Sequence, residues 1–324
     1  MLEIVKTEYS LENPKLKKLV GYDSTNYLVE NQSEKFILKI YANNREEVEL
    51  AGAENALLLH LQKTKNKRFP VPVKNRNKQY ITPFFENNEK KYARLLTYLE
   101  GAFLGETDHS ATLFKTLGKF IAELDLQLQS FSNPVIEARQ FKWDLQHFLL
   151  NEKYLQYIPG AADRKTIELV FDRYKTTVLP VLPSLRKQII HNDANEWNTL
   201  TGKNKVTGLI DFGDICHTQL VNEPAIALTY ALLGKSNPVN WSIQMLSEYN
   251  KIIALHKNEV YLLYHLIAAR LCTTVLNSAF ERVNRPENRY IQISEKPAWD
   301  LLRMWTKTDP EFVGDRFWNE LNTV

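Results

Sequence analysis

The stretch "IIHNDANEWNTL" (residues 189–200) sets His191, Asp193, Asn195, Glu196 and Asn198 between apolar residues that read as strand. A second stretch, "LIDFGD" (residues 209–214), places Asp211 directly after another apolar run. Between them, "TLTGKNKVTGLI" reads as two short strands turned at Gly202, Lys203 and Asn204. A hairpin brings its ends together, so this reading sets the Asn198 amide beside the Asp211 carboxylate, with Asp193 on the approaching loop. Such a cluster suits a hard cation and a polar reaction.

Mg²⁺ prefers oxygen ligands and usually takes only one or two from protein, leaving the rest to phosphate and water. Asn198 and Asp211 supply that number as metal ligands, and Asp193 is then available as catalytic base, to accept a proton from an incoming hydroxyl. The catalytic loop of kinases keeps the same spacing from base Asp to metal-binding Asn, and "DFG" follows here as Asp211, Phe212 and Gly213. Either piece alone arises readily by chance, and an Asp in a loop is most often a turn former. Their order and spacing carry the reading.

Composition excludes several other classes. With 324 residues, 44% apolar and 11% aromatic, the chain fills a substantial globular core. Its net charge is only +3, and the runs "KLKK" and "KTKNKR" lack interleaved aromatics. Both read as solvated loops, with no nucleic acid or membrane partner expected. Two cysteines, Cys216 and Cys272, show neither zinc-site nor disulfide spacing, which fits a cytoplasmic protein. The N-terminus has no apolar signal core, and "VYLLYHLIAA" is too short to span a bilayer.

The texture changes near residue 100. Before it, "NYLVE", "KFILKI", "KQYITPFF" and "YARLLTYLE" read as antiparallel strands, interrupted by one helix in "NREEVELAGAENALLLHL". After it the periodicity is mainly helical, beginning with a stripe from Leu113 to Leu128 behind a Ser110 cap and continuing over 163–177, 224–233 and 259–280. The expected architecture is α+β, with a small β-rich lobe over 1–99, a hinge over 97–101 and a larger helical lobe over 100–324.

Within the small lobe, Lys39 projects from "KFILKI" on the face opposite Phe36, Leu38 and Ile40. A strand lysine is usually surface. Here the helix that follows offers a carboxylate to steady it over phosphates: Glu54 stands directly ahead of the leucine stripe, with Glu47 and Glu49 as competitors. Upstream, Gly21, Ser24 and Thr25 lie in a turn that could cover phosphates through backbone N–H groups and hydroxyls, although it lacks G-x-G-x-x-G.

The chain resembles the aminoglycoside phosphotransferase and choline kinase superfamily, small-molecule kinases with a bilobal protein-kinase-like fold. It is most similar to the hydroxylysine kinase-like branch, through "ARLLTYLEG", "FKWDL", "LRKQIIHNDANEWNTL", "VTGLIDFGDICHT" and "RPENRYIQISEKPAWDLL". The resemblance covers almost the whole chain. It implies Asp193 as catalytic base, Asn198 and Asp211 as Mg²⁺ ligands, Lys39 as phosphate anchor and Glu54 as its partner. It also implies that backbone groups at Thr97 and Leu99 face the base of ATP or GTP. Asn192 stands where Gly or Arg is commoner, and Asp125 stands where many members have His and receives no role.

An amino alcohol needs an anion for its ammonium, and an amino acid also needs a cation for its carboxylate. Asp144, Asp214 and Glu223 are candidates for the first, with Trp143 as a packing or cation–π wall, and Arg270 and Arg282 for the second. Each could equally be a structural ion pair, and Glu223 suits a helix start. The expected activity is Mg²⁺-dependent transfer of the γ-phosphoryl of a nucleoside triphosphate to a hydroxylysine-like amino acid. Homoserine, choline, ethanolamine and aminoglycosides are the alternative acceptors. A kinase-like binding module without chemistry is the alternative class; a phosphohydrolase would want a further cluster of metal ligands.

Overall fold

The computed structural model describes residues 1–19, 25–64, 67–286 and 293–323. These fall into two compact units, the first holding Met1–Glu100, Asn133–Ile136 and Gly208–Gly213, and the second the remainder.

In the first unit the chain runs α1 (Leu2–Tyr9), β1 (Lys15–Leu19), β2 (Thr25–Asn31), β3 (Glu34–Tyr41), α2 (Arg45–Leu61), β4 (Pro72–Val73), β5 (Thr82–Glu86) and β6 (Glu89–Thr97). The strands pair in the order β1-β2-β3-β6-β4, with β5 also on β6, all antiparallel. Two asparagines, Asn87 and Asn88, turn β5 into β6 with φ of 50° and 65°, the left-handed geometry that asparagine tolerates in tight hairpins. Strand alternation then divides the sheet's faces. Phe36, Leu38, Ile40, Ala93 and Leu95 share a buried cluster with Ile4, Val5 and Tyr9 of α1. Lys39 and Arg94, paired across β3 and β6, belong to the opposite set.

Two features of this unit depart from expectation. The run "KLKK" forms β1 rather than a loop: Leu16 and Leu19 are half-buried while the lysines are exposed, as suits an edge strand that must discourage further pairing. The start of "KQYITPFF" is a turn, because the Asn75 side chain accepts the N–H groups of Asn77 and Gln79, both at 2.9 Å.

The second unit is mainly helical. It comprises β7 (Ala102–Phe103), α3 (Ala111–Leu128), α4 (Pro134–Glu137), α5 (Ala161–Arg173), β8 (Lys187–Ile190), β9 (Thr199–Gly202), β10 (Lys205–Leu209), β11 (Cys216–Gln219), α6 (Asn222–Ala231), α7 (Pro238–Ile252), α8 (Lys257–Asn284), α9 (Glu295–Trp305) and α10 (Pro310–Asn322). Of these, α4 and β10 cross into segments of the first unit. Ser110 caps α3 as expected, its Oγ accepting the Leu113 N–H at 3.1 Å. The helix expected over 163–177 ends at Arg173 and continues as a π turn, Tyr174–Val178. The β9–β10 hairpin turns on Lys203 and Asn204, both left-handed with φ of 51° and 58°. Strands β8 and β11 pair separately, Ile190 opposite Cys216.

Helix α8 is the core of this unit, packed by α5, α6, α9 and α10. By length and composition it could cross a membrane, further than the short apolar run suggested, yet 94% of its most apolar window is buried inside the protein. Both cysteines are buried and unpaired.

Candidate active site

The second unit carries the loop between β8 and β9. His191 is fully buried, and its Nδ1 accepts the Asp193 N–H at 3.2 Å. Asn192 takes the left-handed conformation, φ 65°, which explains a residue other than glycine here: asparagine adopts it more readily than most side chains. Asn195 closes the turn, its Oδ1 accepting N–H groups from Trp197 and Asn198 at 2.8 and 2.9 Å. These constraints fix Asp193. Its Oδ2 accepts Nδ2 of Asn198 at 2.7 Å and of Asn195 at 3.0 Å, and its Oδ1 accepts Nη2 of Arg270 at 2.9 Å.

Beneath the loop lies a buried acidic pair that the sequence did not disclose as a unit. Glu223 Oε2 accepts the Asn192 N–H at 2.8 Å, and Asp125 Oδ2 accepts the Tyr249 hydroxyl at 2.7 Å. Burial pushes Glu223 up to about 7, against the backbone N–H groups of Asn192 and His191. Asp125 is raised well above the usual carboxylate range, by burial first and by the charge of Glu223 second. Glu196 is also raised by burial, although Ser294 Oγ donates to it at 2.6 Å.

In the first unit, Lys39 and Asp211 form an ion pair, Nζ to Oδ1, at 2.7 Å. Burial opposes the lysine's charge, but the Asp211 carboxylate outweighs it, aided by Tyr41 and Glu54, and the ammonium's pKa lies above its ordinary value. Asp211 is left-handed, φ 60°, and its side chain is half-exposed. Phe212 after it is buried and meets Phe69 edge-on, ring centres 5.9 Å apart. The expected Lys39–Glu54 pair is not what forms. Glu54 accepts Arg94 Nη2 at 2.5 Å, and Arg94 Nη1 also donates to the Ala51 carbonyl and Asn55 Oδ1. Arg94, opposite Lys39 in the β3–β6 register, takes the glutamate through Nη2 alone and spends Nη1 on the neighbouring residues of α2.

Gly21 and Ser24 lie outside the described residues. Thr25 opens β2 opposite Ile40. Thr97 ends β6, exchanging hydrogen bonds with Val71 through its own N–H and its Oγ1, and Leu99 follows half-buried in the connection to Gly101.

Most of the residues expected to hold the acceptor are engaged elsewhere. Asp144 caps an irregular helical segment (Leu145–Tyr157): its oxygens accept Gln146 N, Gln146 Nε2 and Thr218 Oγ1. Glu223 braces the loop from below. Arg282 pairs with Glu295 at 2.7 Å. Arg270 is buried under Asp193, with the half-buried Trp143 ring 4.8 Å away. Asp214 is partly exposed, 3.9 Å from the Arg139 guanidinium, which rests on Phe141.

Metal binding was expected of Asn198 and Asp211. The Asn198 amide nitrogen donates to Asp193, so Oδ1 is the atom it could offer a cation, and Asp211 could offer carboxylate oxygen. Both are hard donors of the kind Mg²⁺ takes. Among the described residues no group of three or more His, Cys, Asp or Glu is placed to hold a metal.

Comparison with known proteins bears on the class of the protein. The chain is 26% identical to hydroxylysine kinase of Danio rerio, over 94% of its length and 90% of that protein, and 27% identical to hydroxylysine kinase of Xenopus laevis, over 98% and 92%. Among solved structures, a microcompartment-associated aminopropanol kinase matches with TM-score 0.73 at 18% identity, over 94% of this chain and 96% of that one. Amicoumacin kinase in complex with AMP-PNP, Ca²⁺ and Ami matches with TM-score 0.71 at 14% identity, over 97% and 92%. The family described as phosphotransferase enzymes (APH) matches residues 17–253, and the chain belongs to that family as a small-molecule kinase.

Proposed function

We propose that the protein transfers the γ-phosphoryl group of ATP or GTP to the side-chain hydroxyl of a hydroxylysine-like amino acid. The observation that carries this is the Asp193 carboxylate, held through both oxygens in a loop whose Asn198 turns its amide oxygen away. Likeness to vertebrate hydroxylysine kinases over nearly the whole chain supports the acceptor class. Asp193 receives the hydroxyl proton as the acceptor oxygen bonds to phosphorus and the bond to the bridging oxygen of the departing nucleoside diphosphate breaks. Lys39 anchors the α and β phosphates. Asn198 and Asp211 are the residues that would hold Mg²⁺, which when bound would supply charge neutralisation to the phosphates.

Of the residues first considered for the acceptor, Asp214 is the carboxylate best suited to its ammonium, since Asp144 and Glu223 serve the fold. Measuring ATP and GTP consumption with 5-hydroxylysine, homoserine, choline, ethanolamine, aminopropanol and aminoglycosides tests the proposal. The expected result is turnover of 5-hydroxylysine, reduced by roughly 10²- to 10⁴-fold in Asp193→Asn. Good turnover of choline or an aminoglycoside with every hydroxy amino acid inert would overturn the acceptor assignment.

A further inference from the structure

Arg270 was expected to meet the carboxylate of an amino acid. Its surroundings assign it other work. The side chain is only 1% exposed, and three of its nitrogens already have acceptors inside the second unit: Nε donates to Tyr230 Oη at 3.0 Å, Nη1 to the Trp143 carbonyl at 2.8 Å and Nη2 to Asp193 Oδ1 at 2.9 Å. The rings of Trp143 and Tyr230 lie 4.8 and 5.3 Å from the guanidinium carbon. A planar cation bonded along its edges and flanked by two rings has little freedom to turn. Burial opposes its charge, but the Tyr230 hydroxyl and the Asp193 and Asp214 carboxylates keep its pKa above the ordinary value, so the group stays cationic.

We infer that Arg270 is the positioning residue of the Asp193 carboxylate, fixing from α8 the orientation in which that carboxylate meets the acceptor hydroxyl. The inference rests on the reading of Asp193 as proton acceptor. A carboxylate on a loop can rotate about its last bond, and every misoriented rotamer is lost to catalysis. Here Asn195 and Asn198, from the loop itself, grip one oxygen, and Arg270, from a rigid buried helix, grips the other. The Trp143 carbonyl links the same guanidinium to Asn192, whose Nδ2 reaches it at 3.5 Å. The base is therefore referred to the core helix as well as to its own turn. Lysine could supply the charge but cannot meet three acceptors in one plane.

The consequence is kinetic, and a merely structural ion pair would not share it. If Arg270 acts through Asp193, its loss slows the chemical step, leaves acceptor affinity nearly unchanged and has no further effect once the base is gone. The test compares wild type, Arg270→Lys, Asp193→Asn and the double variant, each first checked for folding by circular dichroism and thermal melting. We expect Arg270→Lys to lower kcat with 5-hydroxylysine by roughly 10- to 100-fold and to change KM by less than about 3-fold, and the double variant to match Asp193→Asn within about 2-fold. Should 5-hydroxylysine not be turned over, slow hydrolysis of the nucleotide by the same four proteins is read in its place, with the same ratios expected. Losses that multiply in the double variant, or a rise in KM that accounts for the effect of Arg270→Lys, would overturn the inference while leaving the kinase reading intact. A folded wild type inert in both assays would overturn the kinase reading and the inference together.

Discussion

Asn192 and Asp211 hold the left-handed conformation on either side of the hairpin, and each precedes or bears a carboxylate of the proposed chemistry. Strain of this kind persists only where surrounding contacts impose it. At Asn192 they are visible: the Glu223 carboxylate takes its N–H and Trp143 its side chain. Asn192→Ala, which loses the short amide that makes this region tolerable and its contact with the Trp143 carbonyl, should then destabilise the fold by about 1 kcal/mol, whereas Asn192→Gly, free of a Cβ, should fall closer to wild type. Urea denaturation of the two variants checks the order, and alanine as stable as glycine or more so would show that the left-handed backbone does not govern the site. The meeting of Asp193 and Asn198 was legible because the two are close in sequence, and spacing alone conveys their relation. The partner of Glu54 was not, since Arg94 reaches it only through the register of β6 on β3, and Arg270 likewise meets Asp193 across a long stretch of chain.

Among the elements, α3 announces itself through an apolar stripe behind the Ser110 cap and α2 through its run of leucines, to which the structure adds a cap, the Asn44 side chain accepting the Glu46 N–H. Helix α7 does not, because its buried stripe includes Pro238 and Ser242, whose hydroxyl donates to the Pro238 carbonyl at 2.8 Å and so needs no solvent. The two helices pack closely. At Gly118 of α3, a Cβ would lie 1.9 Å from the Met245 carbonyl oxygen of α7, so only glycine permits the approach. Gly118→Ala gains helix propensity of about 1 kcal/mol but must force the helices apart, which typically costs 1–3 kcal/mol and more where backbone is the obstacle. A lowered melting temperature is expected; an unchanged or raised one would show that the helices separate freely.

For the whole molecule, the buried acids set a dependence on pH. Asp125 and Glu223 have pKa values raised by burial, so the folded state retains protons that the unfolded chain releases at lower pH. Their contribution is therefore fully favourable below the ordinary carboxylate range and is lost as pH rises through about 7 for Glu223. The lifted pKa of Glu223 corresponds to about 3 kcal/mol at most. Denaturant melts between pH 5 and pH 8 should show stability falling, and Glu223→Gln, which still offers an oxygen to Asn192, should flatten the fall. A slope unaltered by the substitution would assign the dependence to other groups.

Helix α8 holds a consequence for biosynthesis. Its cover is made late: Trp305, at the end of α9, stacks on Tyr264 at 5.4 Å and donates to the Tyr264 carbonyl at 3.0 Å, while Gly314 of α10 lets Tyr261 lie close against it. A ribosome delivers α8 before either. For that interval the nascent chain presents a helix as apolar as a membrane span, with one flank bare, to whatever chaperone or lipid surface is nearest. A chain stopped just before Glu295 would remain in that state permanently, and we expect it to sediment with aggregates or membranes on fractionation, where the full chain stays in the supernatant.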